Sequence, residues 1–288
     1  MDELLRPFDF EFFRNGLMVA TMAGALCGLV GVYVVLKGMS YIGHGLSHAI
    51  FGGFAASTLL GINFLLGAGV WGVASALMIN GVTRRRVIAS DAAIGVITTA
   101  SFALGLALFA FFDGEGGSFD AALFGSILGV ATQDVIAIAV VCALAFTLVF
   151  FRYRALLFTT FDPEVAEISG VNTARMDALL MLVLAGSILA TMKILGVTLI
   201  AAALVIPAAV ARMLTNSFSR MLWMSSVIGA VCGFVGMNLS YHLDVQSGPT
   251  IVLVAATMFG VAFMATGPLG RWRTAGMRRA AAKPAHID

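Results

Sequence analysis

His44 and His48 stand four residues apart in the stretch Gly38-Met39-Ser40-Tyr41-Ile42-Gly43-His44-Gly45-Leu46-Ser47-His48-Ala49-Ile50-Phe51-Gly52-Gly53, at the head of a long apolar run. In a helix this spacing puts both imidazoles on one face with β-carbons about 6 Å apart, near enough for one metal ion to touch both. Neutral imidazole suits Zn²⁺, whereas carboxylate oxygen suits Mn²⁺, so the pair leans towards zinc. Two ligands are too few for a closed tetrahedral site, and that incompleteness suits an ion in passage whose other ligands are water or a second copy. The competing reading is that both rings simply hydrogen-bond inside a helix bundle; against it, ionisable groups at membrane depth are costly and mark pathways. Gly45, Ala49 and Gly53 form an adjoining stripe of small residues, which predicts close helix–helix packing and a homodimer built with it.

The elements that must carry this pair lie in a membrane. Of the 288 residues 60% are hydrophobic and 11% charged, with a mean hydropathy of +1.00, against about 45–50% and 25% in soluble domains. The apolar stretches are continuous, not alternating, which predicts an all-α polytopic protein and favours helices over a barrel. The net charge of +2 says little about partners. Cys27, Cys142 and Cys232 lie far apart in apolar runs and read as buried apolar residues, neither a disulfide framework nor a metal site. The acidic Met1 to Arg14 segment has the wrong charge for a cleaved signal peptide, and its Phe8, Phe10, Phe12 and Phe13 suit an interface.

About nine spans fit the hydrocarbon thickness: 16–36, 40–66 with Gly52-Gly53 as a break, 68–82, 92–112, 133–151, 174–192, 195–211, 221–241 and 250–266. An apolar piece at 123–130 reads as re-entrant, and eight spans is the alternative count. With nine, Arg84 to Arg86, Arg152 with Arg154, Arg175, Arg212 with Arg220, and the tail from Arg271 all fall on one side, which the positive-inside rule makes cytoplasmic. Residues 1–270 then form one membrane domain and 271–288 a basic cytoplasmic tail, an anchor rather than a nucleic-acid site. Asp91 is either a helix cap or a pathway residue, and Pro207 should kink its helix. Asp113, Glu115 and Asp120 read as a solvated loop that could gather cations at the outer mouth. His242 and Asp244 at an outer turn are either turn chemistry or an outer gate. Residues 162–171 form the one amphipathic non-spanning helix, with Asp162, Pro163, Glu164 and Glu167 early and Gly170 late.

The chain resembles the permease subunits of the zinc and manganese family of ATP-binding-cassette importers. The likeness rests on Gly38-Met39-Ser40 with Ser47-His48-Ala49, Asp91-x-x-Ile94-Gly95, Leu123-Phe124-Gly125, Gly196-x-x-Leu199 through Pro207-Ala208-Ala209-x-Ala211-Arg212, and Asp244 with Ser247-Gly248-Pro249-Thr250. The resemblance implies a type II importer fold and a multi-pass protein of a prokaryotic cell membrane. It also implies a dimeric pore, a cytoplasmic ATPase docked on Asp162, Glu164, Glu167 and Gly170, and an extracytoplasmic metal-binding protein that delivers the ion. Three departures stand out: His44 replaces the Asp of the family's Gly-Asp-x-x-x-His motif, Phe51-Gly52-Gly53 replaces Leu-Pro-Gly, and Asp244-Val245-Gln246-Ser247-Gly248 replaces Asp-x-Pro-x-Gly.

The expected function is therefore transport of a divalent metal, zinc first and manganese or iron as the alternative, with no permanent cofactor. The sequence contains no Gly-x-x-x-x-Gly-Lys-Ser/Thr loop, so ATP hydrolysis belongs to another subunit. A secondary transporter would bury more carboxylates in its spans. An intramembrane metallohydrolase would need a general base, and His44-Gly45-Leu46-Ser47-His48 has no Glu in the second position.

Overall fold

The computed structural model describes residues 6–85, 88–111, 123–126 and 130–267. The acidic loop with Asp113, Glu115 and Asp120 and the tail from Arg271, including His286, lie outside the described residues. After a 3₁₀ turn at Arg6–Asp9, the chain forms α1 (Glu11–Leu36), α2 (Ser40–Leu59), α3 (Phe64–Arg84), α4 (Ser90–Phe111), α5 (Thr132–Phe151) and α6 (Tyr153–Phe161). It continues with α7 (Pro163–Ile168), α8 (Thr173–Leu195), α9 (Ile200–Leu214), α10 (Phe218–Leu243) and α11 (Ser247–Thr266). Seven of these are long and apolar enough to cross a membrane, α1, α3, α4, α5, α8, α10 and α11. The other two expected spans are α2, 20 residues whose two His and several Ser and Gly dilute its hydropathy, and α9, only 15 residues long.

α1 is the most buried of the seven, and its closest partner is α10. The reason is a zipper of small residues. A β-carbon on Gly24 would collide with the carbonyl of Gly229, one on Gly28 with that of Ser225, and one on Gly233 with that of Ala20. The four-residue spacing on both helices is the small-xxx-small pattern that lets membrane helices approach backbone to backbone. The Ser225 hydroxyl fills one step of the zipper by donating to the Gly28 carbonyl at 2.6 Å. Gly31, one turn on, meets Leu204 of α9 in the same way.

Gly38, at φ 67°, ends α1, and the Met39 N–H reaches back to the Val34 carbonyl at 3.0 Å. Only glycine takes this left-handed conformation without strain, and the closure turns the chain directly into α2. Helix α2 then runs unbroken through Gly52-Gly53, which corrects the expected break. These glycines serve packing: the backbone of Gly52 lies against Ser101 and Gly105 of α4, and Gly53 lies under Trp71 of α3. Gly45 rests against the side chains of Ile94 and Thr98 of α4, and Ala49 is fully buried. The small stripe thus packs α2 closely against α3 and α4 inside the chain. Within α9, Pro207 is buried and helix continues on both sides of it.

One end of the bundle collects the basic loops. The Lys37 ammonium lies 2.8 Å from the Asp177 carboxylate of α8 and donates to the Thr159 carbonyl of α6 at 3.3 Å. The Arg84 guanidinium reaches the other oxygen of Asp177 at 3.0 Å. At the same end Tyr33 and Phe161 pack edge-on, and Tyr153 tilted, against the ring of Phe218. Helix α6 was not foreseen, because Arg152 and Arg154 read as the end of a span. At the opposite end Lys193 of α8 pairs with Asp134 of α5 at 2.7 Å.

Candidate metal site

The two imidazoles meet. Helix α2 holds the His44 and His48 rings with centroids 4.3 Å apart and edge to face. Phe102 of α4 packs on the far side of His48 at 4.4 Å, and Tyr41 flanks His44 at 5.6 Å. Both His side chains are half-buried in the single chain. The Nδ1 atom of His48 is buried and has no hydrogen-bond partner. A buried polar atom without a partner costs about 1–3 kcal/mol, so such an atom in a folded protein calls for a ligand or an ordered water. Among the described residues no third His, Cys, Asp or Glu joins the pair. The chain thus brings two half-buried imidazoles side by side, one with an unpartnered nitrogen, and two nitrogens are fewer than a closed metal site needs.

The backbone beneath the pair is pinned by residues far apart in sequence. The Ser47 hydroxyl, between the two His, bonds the His44 and Val197 carbonyls, both at 2.8 Å. Thr198 donates its hydroxyl to the Leu123 carbonyl at 2.7 Å, and Ser126 donates its N–H to the Lys193 carbonyl at 2.9 Å. The Ser247 hydroxyl reaches the Ile194 carbonyl at 3.0 Å. Gly125 and Gly196 take φ 78° and 74° with their backbones in contact, and Gly248 sits against the carbonyls of Phe124 and Leu195. The 123–125, 196–199 and 247–248 motifs thus form one knot tied to the His helix through Ser47. Sequence reasoning had each motif but not their meeting, and it missed Phe102 altogether; a lone Phe on another span carries no signal of its own.

Other expected site residues lie apart from the pair. Asp91 is exposed in the first turn of α4, one residue inside the helix start. Asp244 is the left-handed C-cap of α10 at φ 52°, its N–H bonded to the Ser240 carbonyl. His242 is exposed, and its Nδ1 lies 2.8 Å from the Asn238 carbonyl oxygen. In the amphipathic segment Asp162 caps α7 by accepting from the Val165 N–H at 3.0 Å, and Gly170 at φ 80° ends it. Glu167 accepts the Thr173 hydroxyl at 2.6 Å, whereas Glu164 is exposed and Ile168 is 87% exposed.

Comparison with known proteins adds what geometry cannot. The model of the ABC 3 transport family matches residues 9–266. The chain belongs to that family. It is 35% identical over 256 residues to the "Manganese transport system membrane protein MntC" of Listeria innocua, covering 89% of this chain and 91% of the relative. It is 35% identical over 261 residues to the "Probable iron transport system membrane protein" of Haemophilus influenzae, covering 91% and 96%. Among solved structures it is similar to PsaBC from Streptococcus pneumoniae in complex with Fab, with a TM-score of 0.81 at 34% identity over 91% of this chain and 94% of that one. This family member is a multi-pass membrane permease of a metal importer, all-helical, and its relatives are named as transport proteins, not enzymes.

Proposed function

We propose that this chain is the permease subunit of an ATP-driven importer whose cargo is Mn²⁺ or Fe²⁺, and that the ion passes between His44 and His48. The carrying observation is the buried, unpartnered Nδ1 of His48 with the His44 ring beside it. The sequence alone leaned towards zinc, and the names of the relatives move the reading to manganese or iron. The chemistry permits the change. Nitrogen sites bind the later divalent metals more tightly, but an open two-nitrogen site is weak enough to release its ion, so cargo follows what is delivered rather than raw affinity. The partners of this reading are an extracytoplasmic metal-binding protein, a second copy that completes the pathway, and an ATPase docked on α7. Its location is a prokaryotic cell membrane with the basic end and the C-terminus in the cytoplasm.

The test is uptake of radioactive manganese into vesicles carrying the full complex. Saturable, ATP-dependent manganese uptake that disappears in His48→Ala is expected. Zinc uptake without manganese or iron uptake would overturn the cargo, and full uptake by a His44→Ala/His48→Ala variant would overturn the site.

A further inference from the structure

A groove of about 890 Å³ opens between α5, α6 and α10 at the basic end of the bundle. Its wall is aromatic, formed by Phe146, Phe150, Phe158 and Trp223. Phe150 is 78% exposed and Trp223 66%, and each belongs to a helix able to cross a membrane, so the groove faces hydrocarbon. Arg152 and Arg154 stand at its rim, exposed and without an ion pair among the described residues. Ser169 and Ser219 also line the groove.

We propose that this groove binds one anionic glycerophospholipid, its phosphate on Arg152 and Arg154 and an acyl chain along Phe146, Phe150 and Trp223. Guanidinium groups match phosphate oxygens in a bidentate fork, and basic pockets between membrane helices at the cytoplasmic side recognise anionic headgroups. A free anion would leave the aromatic wall unused. A helix from another protein would have to bring its own anions to both arginines. Ser169 and Val171, directly after α7, line the same groove, so the bound lipid also braces the segment joining α7 to α8. If α7 docks the ATPase, as the proposed function has it, anionic lipid raises metal-stimulated ATP hydrolysis; binding itself does not depend on that reading.

The experiment places the full chain in nanodiscs of phosphatidylglycerol or phosphatidylcholine and counts retained lipid by native mass spectrometry. Phosphatidylglycerol should be retained selectively, with about thirtyfold weaker retention in R152Q/R154Q. The charge-keeping R152K/R154K should largely restore it, and Trp223→Ala should weaken it with the charge intact. A photoactivatable benzophenone at position 223 should capture lipid. Equal retention of the two lipids, no loss in R152Q/R154Q, displacement by excess inorganic phosphate, or capture of a protein segment would each overturn the proposal.

Discussion

His48 combines two properties that rarely coincide, a ring wedged between His44 and Phe102 and a nitrogen that is buried without a partner. Packing fixes the ring, and the free nitrogen gives it something to do. Losing one outer-shell partner of a metal costs about 10–100-fold in affinity, and losing a ligand costs more, so His48→Ala should abolish manganese uptake in vesicles. His44→Asp is the subtler change: it trades a nitrogen for an oxygen and narrows the preference for later metals. Zinc should then inhibit manganese uptake less well, with its half-inhibiting concentration raised roughly tenfold, and an unchanged value would remove His44 from the ligand set.

Among the helices, the α1–α10 zipper holds the frame on which α2 is hung. Gly24→Ala would drive a β-carbon into the Gly229 carbonyl, backbone against backbone, where no side chain can swing aside. Overpacking of this kind costs about 1–3 kcal/mol or more, so the purified variant should unfold at a clearly lower temperature. Gly81 of α3 has nothing within reach of an added β-carbon, and Gly81→Ala should be neutral or stabilise by up to about 1 kcal/mol through helix propensity. Equal effects at the two positions would argue against the zipper. Seven of the expected spans were legible because a helix must be apolar for about 20 residues to cross the bilayer, whereas the second expected span, read as far as residue 66, ends at Leu59. Which small-residue stripe meets which was not legible. The pattern at Gly45, Ala49 and Gly53 looks the same in sequence as that at Gly24 and Gly28, and only the three-dimensional neighbours, α3 and α4 in one case and α10 in the other, tell them apart. The loop knot escaped for a related reason: Gly125, Gly196 and Gly248 announce unusual backbone locally but carry no label naming their partners.

In the assembled chain, the basic end gathers what an ATPase could push and what could answer. Asp177 bridges Lys37, which immediately precedes the turn into the His helix, and Arg84, which ends α3; Lys37 also holds the Thr159 carbonyl just ahead of α7. Asp177→Asn would weaken both pairs. Partly exposed pairs are worth at most about 1 kcal/mol each, so the variant should fold and lose only a few degrees of thermal stability, while movement of α7 is transmitted less faithfully to α2. Its manganese-stimulated ATPase activity should fall relative to its basal rate, whereas unchanged stimulation would make the bridge purely structural. The surface of α7 sharpens the coupling test further. Glu167 is engaged with Thr173, so reversing its charge would disturb the start of α8 as well as any docking, and it is a poor probe. Ile168 is 87% exposed beside the exposed Glu164, an apolar knob with a charge next to it and little contact to lose among the described residues. Such a knob gains free energy only when a partner covers it, about 1.5–3 kcal/mol for a fully buried aliphatic side chain. Ile168→Asp should therefore lower the affinity of the ATPase for the permease by roughly tenfold or more, leave thermal stability and manganese binding as in the parent, and reduce stimulation accordingly. Wild-type assembly by Ile168→Asp and by Glu164→Lys together would remove α7 as the docking element.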